Sequence, residues 1–483
     1  MNAAGAAAPT PSAAPAAPAT ASISETLARF AADLSPGAIP ERVRRRAKHL
    51  VLDAIGCAFA ARGEAFAERI VRSVARLAGP GARGVIGRRE RLPMRDAALA
   101  NGALLHGLDY DDTHPAGVIH LTAAASPAAL AVAAERDASG GELLAAYIAG
   151  VEAGARLASV AKGGFHQVGF HPTGLIGAFA ASLVAGRLIE SRREPSFPRA
   201  QGIALSFASG SLQFIEDGAW TKRLHPGWAA ACGITAAALA ADDIPAPREA
   251  YEGRFGLFRS YLAPAEFAAC DLAAATAGLG RVWETENVSV KPYPACHFVH
   301  AAIEAAIALH RAGVDPARVR SVRALVPAGV VKSVCEPLAA KRRPKSDYDA
   351  KFSLPYAVAC GLARGCFGLA ELRPEAFRSP EIEALMDKVD YAVDEASTFP
   401  RHYSGEVIVA LSDGRTLSHR VAVNPGNPDR PLSEAEIERK FFENCAQTLD
   451  EPSARRIRDC VLDLDARSAR ELEAAVCDAQ AAR

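Results

Sequence analysis

The chain has 483 residues, half of them hydrophobic, which is enough for one large domain or two ordinary domains with a sizeable core. Lys plus Arg and Asp plus Glu both number 55, so the formal net charge is zero, which argues against a nucleic-acid-binding protein. The ten cysteines form no CxxC or CxxH pair, which predicts no zinc site and no disulfide framework. Reduced thiols and a cytoplasmic location are the simpler expectation.

Residues 1–22 consist almost entirely of Ala, Pro, Ser and Thr, and they lack the basic start of a signal peptide. This composition predicts a disordered tail. The most apolar runs, such as Thr122 to Ala134, are short and Ala-rich, so we expect no membrane span.

Residues 23–287 show the periodicity of helices. Val43, Ala47 and Leu50 recur on one helical face, and Ala and Gly dominate the later blocks, which favours close helix packing. We therefore predict a large all-helical domain. Its further helices are expected at Asp96–Leu108, Ala123–Arg136, Gly141–Ala161, Gly174–Leu188, Arg199–Phe214 and Pro226–Ala241.

The pattern changes near Val288, and residues 288–425 are predicted to form a smaller α+β lid domain. Strands are expected at 322–326, at 330–331, and at 406–410 and 417–423, which flank the Asp413-Gly414 hairpin turn. Helices are expected at 298–312 and 352–363. Residues 426–483 are predicted to return to the helical domain as C-terminal helices, the first opened by a Ser433/Glu436 capping box. The fold class is therefore mainly α.

Leu108–His114 places three carboxylates, a hydroxyl and an imidazole inside an otherwise apolar region. Such groups are costly to bury unless they are paired or used, and they can move a proton on and off carbon. His120 and His171 follow, the second among glycines that allow a ligand to approach the backbone. A solvated acidic loop and two structural histidines are the alternative interpretation.

Two lysines occupy connections where a carboxylate substrate would be held. Lys222 lies in a polar link that enters an apolar helix, and Lys291 lies at the seam between the predicted domains. Surface lysines are the ordinary alternative. Cys296 beside His297 suggests a thiol nucleophile, but neighbours in sequence need not have neighbouring side chains. No glycine-rich stretch matches a nucleotide-binding motif.

Together, several segments resemble the MmgE/PrpD family, which includes 2-methylcitrate dehydratase, cis-aconitate decarboxylase and iminodisuccinate epimerase. Each motif is weak, but their order and spacing are specific. The resemblance implies a helical domain with an α+β lid, a homodimer, and activity without metal or organic cofactor. The segments are Arg46–Cys57, Asn101–Thr113, Gly169–Thr173, Lys222–Gly227, Lys291–Cys296, Ala350–Tyr356 and Gly426–Phe441.

The family's active site lies between the two domains. Carried over to this chain, the resemblance implies catalytic roles for Asp109, His120, His171 and Lys222, and substrate binding by Thr113, Lys291 and Tyr356. The histidine assignment has an alternative. The family's histidine is usually followed by Pro, as His114 is here, whereas spacing favours His120. The stretch between Thr113 and His120 lacks the longer insert of methylcitrate dehydratases, so the chain looks closer to the decarboxylases and epimerases.

These residues predict a lyase that transfers a proton at the carbon α to a carboxylate of a small di- or tricarboxylate. The lysines would bind carboxylates and stabilise developing negative charge, an imidazole would be base and acid, and Asp109 would orient a histidine or bind a substrate hydroxyl. Loss of water, loss of carbon dioxide, or neither would make the enzyme a dehydratase, a decarboxylase or an epimerase. A non-catalytic carboxylate-binding protein and a hydrolase using Cys296 are the remaining alternatives.

Overall fold

The computed structural model describes residues 21–189 and 196–479. Residues 1–20 of the predicted tail lie outside this range, and its last residue, Ser22, belongs to the fold, because its side chain and that of Glu25 form the capping box of the first helix. Helices α1 to α13 follow in chain order: Ile23–Asp33, Glu41–Ala61, Ala65–Leu77, Met94–His106, Thr122–Glu135, Gly140–Val160, Gly164–Gln167, Pro172–Ile189, Ser196–Ala204, Phe214–Asp217, His225–Ala241, Leu257–Tyr261 and Pro264–Ala268.

The predicted helical blocks are confirmed except the one at Arg199–Phe214, whose helix α9 ends at Ala204. The domain is also not entirely helical. Two short strands, β1 (Arg83–Gly84) and β2 (Arg91–Leu92), pair antiparallel between α3 and α4.

Small residues let the central helices approach closely. Helix α11 packs against α4, α8 and α9, and it meets α4 where Gly227 faces Gly102. A Cβ atom added to Gly227 would lie 2.1 Å from the carbonyl oxygen of Leu99, so only glycine fits this crossing. The Ala- and Gly-rich composition therefore determines how tightly these central helices pack.

Three helical segments of the described chain, Gly140–Val160, Pro172–Ile189 and Trp220–Ala241, are long and apolar enough to cross a membrane by length and composition alone. The protein interior buries 94%, 94% and 61% of their most apolar windows. Packing inside the protein accounts for most of this apolar character.

The lid is built on a four-stranded sheet with the order β4-β3-β5-β6. Its strands are β3 (Val319–Val326), β4 (Val389–Val393), β5 (Gly405–Leu411) and β6 (Thr416–Val421). The predicted hairpin is confirmed as β5–β6, whereas β4, parallel to β3, was not predicted. The predicted strand at 330–331 is wrong, because the chain turns there into a short helix. The lid helices α14 to α20 are His300–Arg311, Val331–Val334, Leu338–Lys341, Asp347–Lys351, Leu354–Arg364, Pro374–Phe377 and Pro380–Met386.

The last helices, α21 (Glu434–Cys445), α22 (Glu451–Leu462) and α23 (Ala469–Cys477), lie against the helical domain. Helices α21 and α22 pack on α2, and their buried side chains join the same hydrophobic core. The predicted capping box of Ser433 and Glu436 opens α21. A mainly α fold with a smaller α+β part is confirmed, and a separate hydrophobic core fills the lid.

Candidate active site

The loop that follows α4 carries Asp109 in a left-handed conformation. The φ angle of Asp109 is 53°, and its N–H donates to the carbonyl of His106 at 2.8 Å. Asp and Asn tolerate this region better than other residues with a Cβ atom. The reversal of the chain turns the Asp109 carboxylate away from α4 and toward the lid.

Two lysines hold the Asp109 carboxylate. Lys222 Nζ lies 3.0 Å from Oδ2, and Lys291 Nζ lies 2.8 Å from Oδ1, with all three side chains buried. Burial by itself would raise the pKa of Asp109, but the two ammonium groups outweigh it and hold this pKa well below its usual range. Asp109 is therefore ionised, and it brings together lysines that are about 70 residues apart in sequence.

These side chains form the wall of a cavity between the helical domain and the lid, with about 490 Å³ of empty space including its opening to solvent. Charged and imidazole groups meet aromatic side chains there. The lining consists of Asp109, Thr113, Val118, His120, His166, His171, Leu212, Phe214, Ile215, Lys222, Lys291, Cys296, His297, Phe298, Ser333, Phe352 and Tyr403.

His120 faces two carboxylates from the wall of this cavity. Its Nδ1 lies 3.4 Å from Asp111 Oδ2, its Nε2 lies 3.7 Å from Asp109 Oδ1, and its main-chain N–H donates to Thr173 Oγ1. Burial lowers the pKa of His120 to about 4, although the charge of Asp111 opposes this. The imidazole is therefore neutral near pH 7 and able to accept a proton.

His171 lies across from His120, with ring centroids 5.9 Å apart. Its Nδ1 shares a hydrogen bond of 2.9 Å with Nδ1 of His225. Burial, reinforced by the charge of Lys222, holds the pKa of His171 well below its usual value. Burial likewise lowers the pKa of the neighbouring His166 to about 3. Neutral imidazoles therefore line the cavity on this side.

His114, the alternative to His120, lies outside the cavity lining. Its Nε2 donates to Glu284 Oε2 at 3.0 Å, and its Nδ1 accepts from the N–H of Gly117. Both ring nitrogens are occupied by the protein. The structure thus places His120, rather than His114, beside Asp109 and the lysines.

His106 and Asp111 complete the site, and sequence reasoning gave neither a role. His106 Nδ1 donates to both carboxylate oxygens of Asp111 at 2.9 Å, so Asp111 lies between the rings of His106 and His120. The sequence raised His297 only as the neighbour of Cys296. His297 lines the cavity, and Asn424 Nδ2 donates to its Nε2 at 2.8 Å. Position in the Leu108–His114 cluster was an available signal for Asp111, and adjacency to Cys296 was the signal for His297.

Asp112, the third carboxylate of the cluster, points away from the cavity. It accepts hydrogen bonds from the hydroxyl and N–H of Thr122, and that hydroxyl also contacts Tyr147. Burial raises the pKa of Asp112 to about 8, with the nearby charge of Asp111 acting in the same direction. Asp112 is therefore a protonated, structural carboxyl group at neutral pH.

The remaining predicted residues have different positions. Thr113 lines the cavity, and its Oγ1 makes no hydrogen bond to any described residue. Tyr356 does not line it, which corrects the expected substrate contact, because its hydroxyl donates to the carbonyl of Glu371 inside the lid. Cys296 does line the cavity, but burial raises the pKa of its thiol, so it is a poor nucleophile.

Two overlapping sets of side chains within the described residues have the spacing to hold a metal ion, since their ligand atoms lie within 4.8 Å of one another. One set is three buried histidines, and the other combines two of these with two carboxylates. The sets are His106, His120, His171, and His106, Asp109, Asp111, His120. Asp109 and Asp111 already bind lysine and histidine, so a cation would compete with existing ion pairs.

The MmgE/PrpD N-terminal domain matches residues 25–269, and the MmgE/PrpD C-terminal domain matches residues 293–466. The chain belongs to the MmgE/PrpD family. The family predicted from the sequence motifs is thereby confirmed, and the protein is an MmgE/PrpD-type lyase.

The similar curated proteins cover nearly the whole chain. A cis-aconitate decarboxylase-like protein of Aspergillus oryzae is 26% identical over 456 residues, which are 91% of this chain and 94% of that protein. The cis-aconitate decarboxylase of Homo sapiens is 28% identical over 446 residues, 89% of each chain. That of Aspergillus terreus is 27% identical over 455 residues, 91% of this chain and 92% of its own.

Proposed function

We propose that the protein is a carboxy-lyase that removes carbon dioxide from a small unsaturated di- or tricarboxylate, with cis-aconitate as the first substrate to test. The observation that carries this proposal is the cavity in which Lys222 and Lys291 surround Asp109 opposite His120 and His171. Similarity to cis-aconitate decarboxylases over about nine-tenths of the chain supports this reaction in preference to dehydration.

The lysines provide the charge that a polyanionic substrate needs. An ammonium group has three N–H donors. Lys222 forms an ion pair with Asp109 at 3.0 Å and lines the cavity, where its donors can bind substrate carboxylates, and Thr113 Oγ1 offers a further hydroxyl in the same cavity. The aromatic and aliphatic side chains of the lining lower the local dielectric constant, which strengthens these electrostatic contacts.

The reaction requires one proton. The carbon–carbon bond to the departing carboxylate breaks, its electron pair moves into the conjugated system of the substrate, and a proton adds to carbon as carbon dioxide leaves. Substrate carboxylates raise the proton affinity of nearby imidazoles, so His120 or His171 gains a proton as the substrate binds and delivers it to carbon. Solvent then replaces that proton, and no electrons are exchanged with any other group.

Asp109 serves this reaction by position and charge. Its carboxylate pairs with both ammonium groups, one at each oxygen, and lies 3.7 Å from His120 Nε2. Asp111 Oδ2 lies 3.4 Å from the opposite nitrogen of the same ring. The two carboxylates thus orient His120 and stabilise it while it carries a proton.

Proton NMR in D2O tests the proposal with cis-aconitate, citrate, methylcitrate, malate and aminodicarboxylates. The expected result is consumption of an unsaturated tricarboxylate with one deuterium added to the product carbon and release of one carbon dioxide. His120→Ala should lack this activity, whereas His114→Ala, changed outside the cavity, should retain it. Deuterium exchange without carbon dioxide would indicate the epimerase alternative, and no exchange would indicate a non-catalytic binder.

Three accompanying expectations stay predictions. The protein is expected to be a homodimer, to act without a metal or organic cofactor, and to be cytoplasmic. Sedimentation measures the first, and activity after dialysis against a chelator measures the second. Fractionation of the source cells measures the third.

A further inference from the structure

Three buried lysines bind three successive main-chain carbonyls in the loop that carries Asp109. Lys351 Nζ donates to the carbonyl of Leu108, Lys291 Nζ to that of Asp109, and Lys440 Nζ to that of Tyr110, each at 2.8 Å. All three donors are buried, as is the loop itself. Of these three lysines, only Lys291 also contacts the carboxylate of Asp109.

The three lysines come from different parts of the chain. Lys351 ends lid helix α17, Lys291 lies at the seam between the domains, and Lys440 lies in the C-terminal helix α21. Residues 108–110 are therefore held from the lid and from the helical domain at once. Three donors from three separate segments are more than the local hydrogen bonds of a turn require.

Burial of these ammonium groups is costly, and the ion pair of Lys351 does not by itself explain it. Lys351 has Asp347 at 3.8 Å, a distance too long for a hydrogen bond, and Asp347 already pairs with Arg223 at 2.8 Å. Burial lowers the pKa of Lys351 to about 8. Lys440 pairs with Asp53 and lies 3.8 Å from the ring centroid of Tyr110. Burying ionisable groups in this way is typical of a site that uses them.

We propose that Lys351, Lys291 and Lys440 form a lysine clamp that fixes the main chain of residues 108–110, and that Lys351 and Lys440 are thereby positioning residues for Asp109. Three carbonyl contacts determine the peptide planes on both sides of Asp109, including its left-handed φ of 53°. That conformation aims the carboxylate at Lys222 and His120. Because Lys351 belongs to the lid, the clamp also makes the geometry of Asp109 depend on lid docking.

The role in catalysis rests on the proposed function, but the clamp itself can be measured without activity. Hydrogen–deuterium exchange of peptides covering residues 104–114 reports the loop, whose amides include Asp109 N–H on His106 and Thr113 N–H on Ser289. Lys351→Met and Lys440→Met remove the ammonium while keeping the apolar stem. Exchange in this segment should rise in both variants.

Lys48→Met is the matched control. Lys48 is also buried, donates to a carbonyl, that of Leu462, at 2.8 Å, and pairs with Asp465, but it lies far from the loop in sequence and contact. The Lys48→Met variant should leave hydrogen–deuterium exchange of residues 104–114 at the wild-type level. Lys351→Arg keeps a charged donor and should restore part of the protection. If Lys351→Met does not fold, Lys351→Gln, with a shorter neutral donor, takes its place and should show increased exchange.

Kinetics with whichever carboxylate the NMR experiment shows to be turned over then test positioning. We expect kcat to fall about 100-fold in Lys351→Met and Lys440→Met, the effect typical of displacing a catalytic group by about 1 Å, with a much smaller change in KM. Unchanged exchange in both variants overturns the clamp, and raised exchange with kcat near wild type overturns the positioning role. If the wild-type protein turns over no carboxylate, the proposed function fails while the exchange result still decides the clamp.

Discussion

Lys291 donates to Asp109 twice, once to the carboxylate Oδ1 and once to the main-chain carbonyl oxygen, each at 2.8 Å. One ammonium group therefore fixes both the side chain and the backbone of the residue at the centre of the cavity. Lys291 comes from the seam beside the lid, whereas Asp109 follows a helix of the larger domain, 182 residues away. This double contact ties the candidate site to the association of the two parts of the protein.

The two cavity lysines should contribute to stability as well as to activity. Lys222→Met and Lys291→Met each leave Asp109 buried with only one cation, and breaking a buried ion pair costs about 3–5 kcal/mol. Loss of a charge-assisted contact to substrate should lower kcat/KM by about 100-fold or more. Urea denaturation and steady-state kinetics measure the two effects.

Combining Lys222→Met and Lys291→Met with Asp109→Asn provides the control, because this triple variant has neither the lysine charges nor the carboxylate. Its free energy of unfolding should exceed that of the Lys222→Met/Lys291→Met double variant, in which Asp109 is buried without a cation, while its activity stays low. A Lys222→Met protein as stable as wild type would show that the ion pair is not maintained in solution.

Asp112 should make the folded protein less stable as the pH rises. Its folded-state pKa of about 8 lies above its ordinary value, so the folded protein keeps a proton that the unfolded chain loses near pH 4. Stability therefore falls between about pH 4 and about pH 8. Asp112→Asn removes this ionisation and keeps the shape, so its Tm relative to wild type should increase across that range.

Asp242→Asn, at an exposed carboxylate, is the control for Asp112→Asn and should follow the wild-type pH dependence. Thermal melts at several pH values measure both variants. A constant difference in Tm between Asp112→Asn and wild type would mean that Asp112 is ionised in the folded protein.

The effects of replacing the three histidines on turnover should differ according to whether each ring lines the cavity. His120→Ala and His171→Ala should abolish turnover, since both rings line the cavity beside the lysines. His114→Ala should keep most activity and lose some stability, because His114 only links to Glu284 and Gly117. Steady-state kinetics and thermal melts of the three purified variants distinguish these results, and an active His120→Ala would assign proton transfer to another residue.

The pH dependence of kcat/KM tests independently whether His120 transfers the proton. Burial lowers the pKa of His120 to about 4, and the proposed reaction needs its protonated form, so the limb on which kcat/KM falls with rising pH should lie near pH 4 rather than near neutrality. Asp111→Asn removes a charge that favours the protonated ring, so this limb should move to still lower pH. A limb near neutrality in both proteins would contradict His120 as the titrating group.

Cys296 should be dispensable even though it lines the cavity. Burial raises the pKa of its thiol, which leaves little thiolate for nucleophilic attack. Cys296→Ser should therefore keep kcat within a few-fold of wild type, and iodoacetamide should react slowly with this residue. Loss of turnover in Cys296→Ser with an unchanged KM would revive the hydrolase interpretation.

The sequence was sufficient for most of the fold. Periodic apolar residues predicted the long helices, the Asp413-Gly414 turn predicted the β5–β6 hairpin, and Ser433 with Glu436 predicted the start of α21. These are local signals, determined by helix geometry, turn conformation and capping. Strand β4 was missed because its stability comes from parallel pairing with β3, which involves residues far away in sequence.

The sequence by itself also determined which residue types are available for the chemistry: the carboxylates after α4, the histidines at 120 and 171, and the two lysines. Only the tertiary structure decided which of them meet. It placed His120 in the cavity and His114 outside it, turned Tyr356 into the lid, and brought His106, Asp111 and His297 to the site. The physical reason is that ion pairing and desolvation depend on distances of a few ångströms between side chains, and those distances are determined by how the lid and the helical domain pack together.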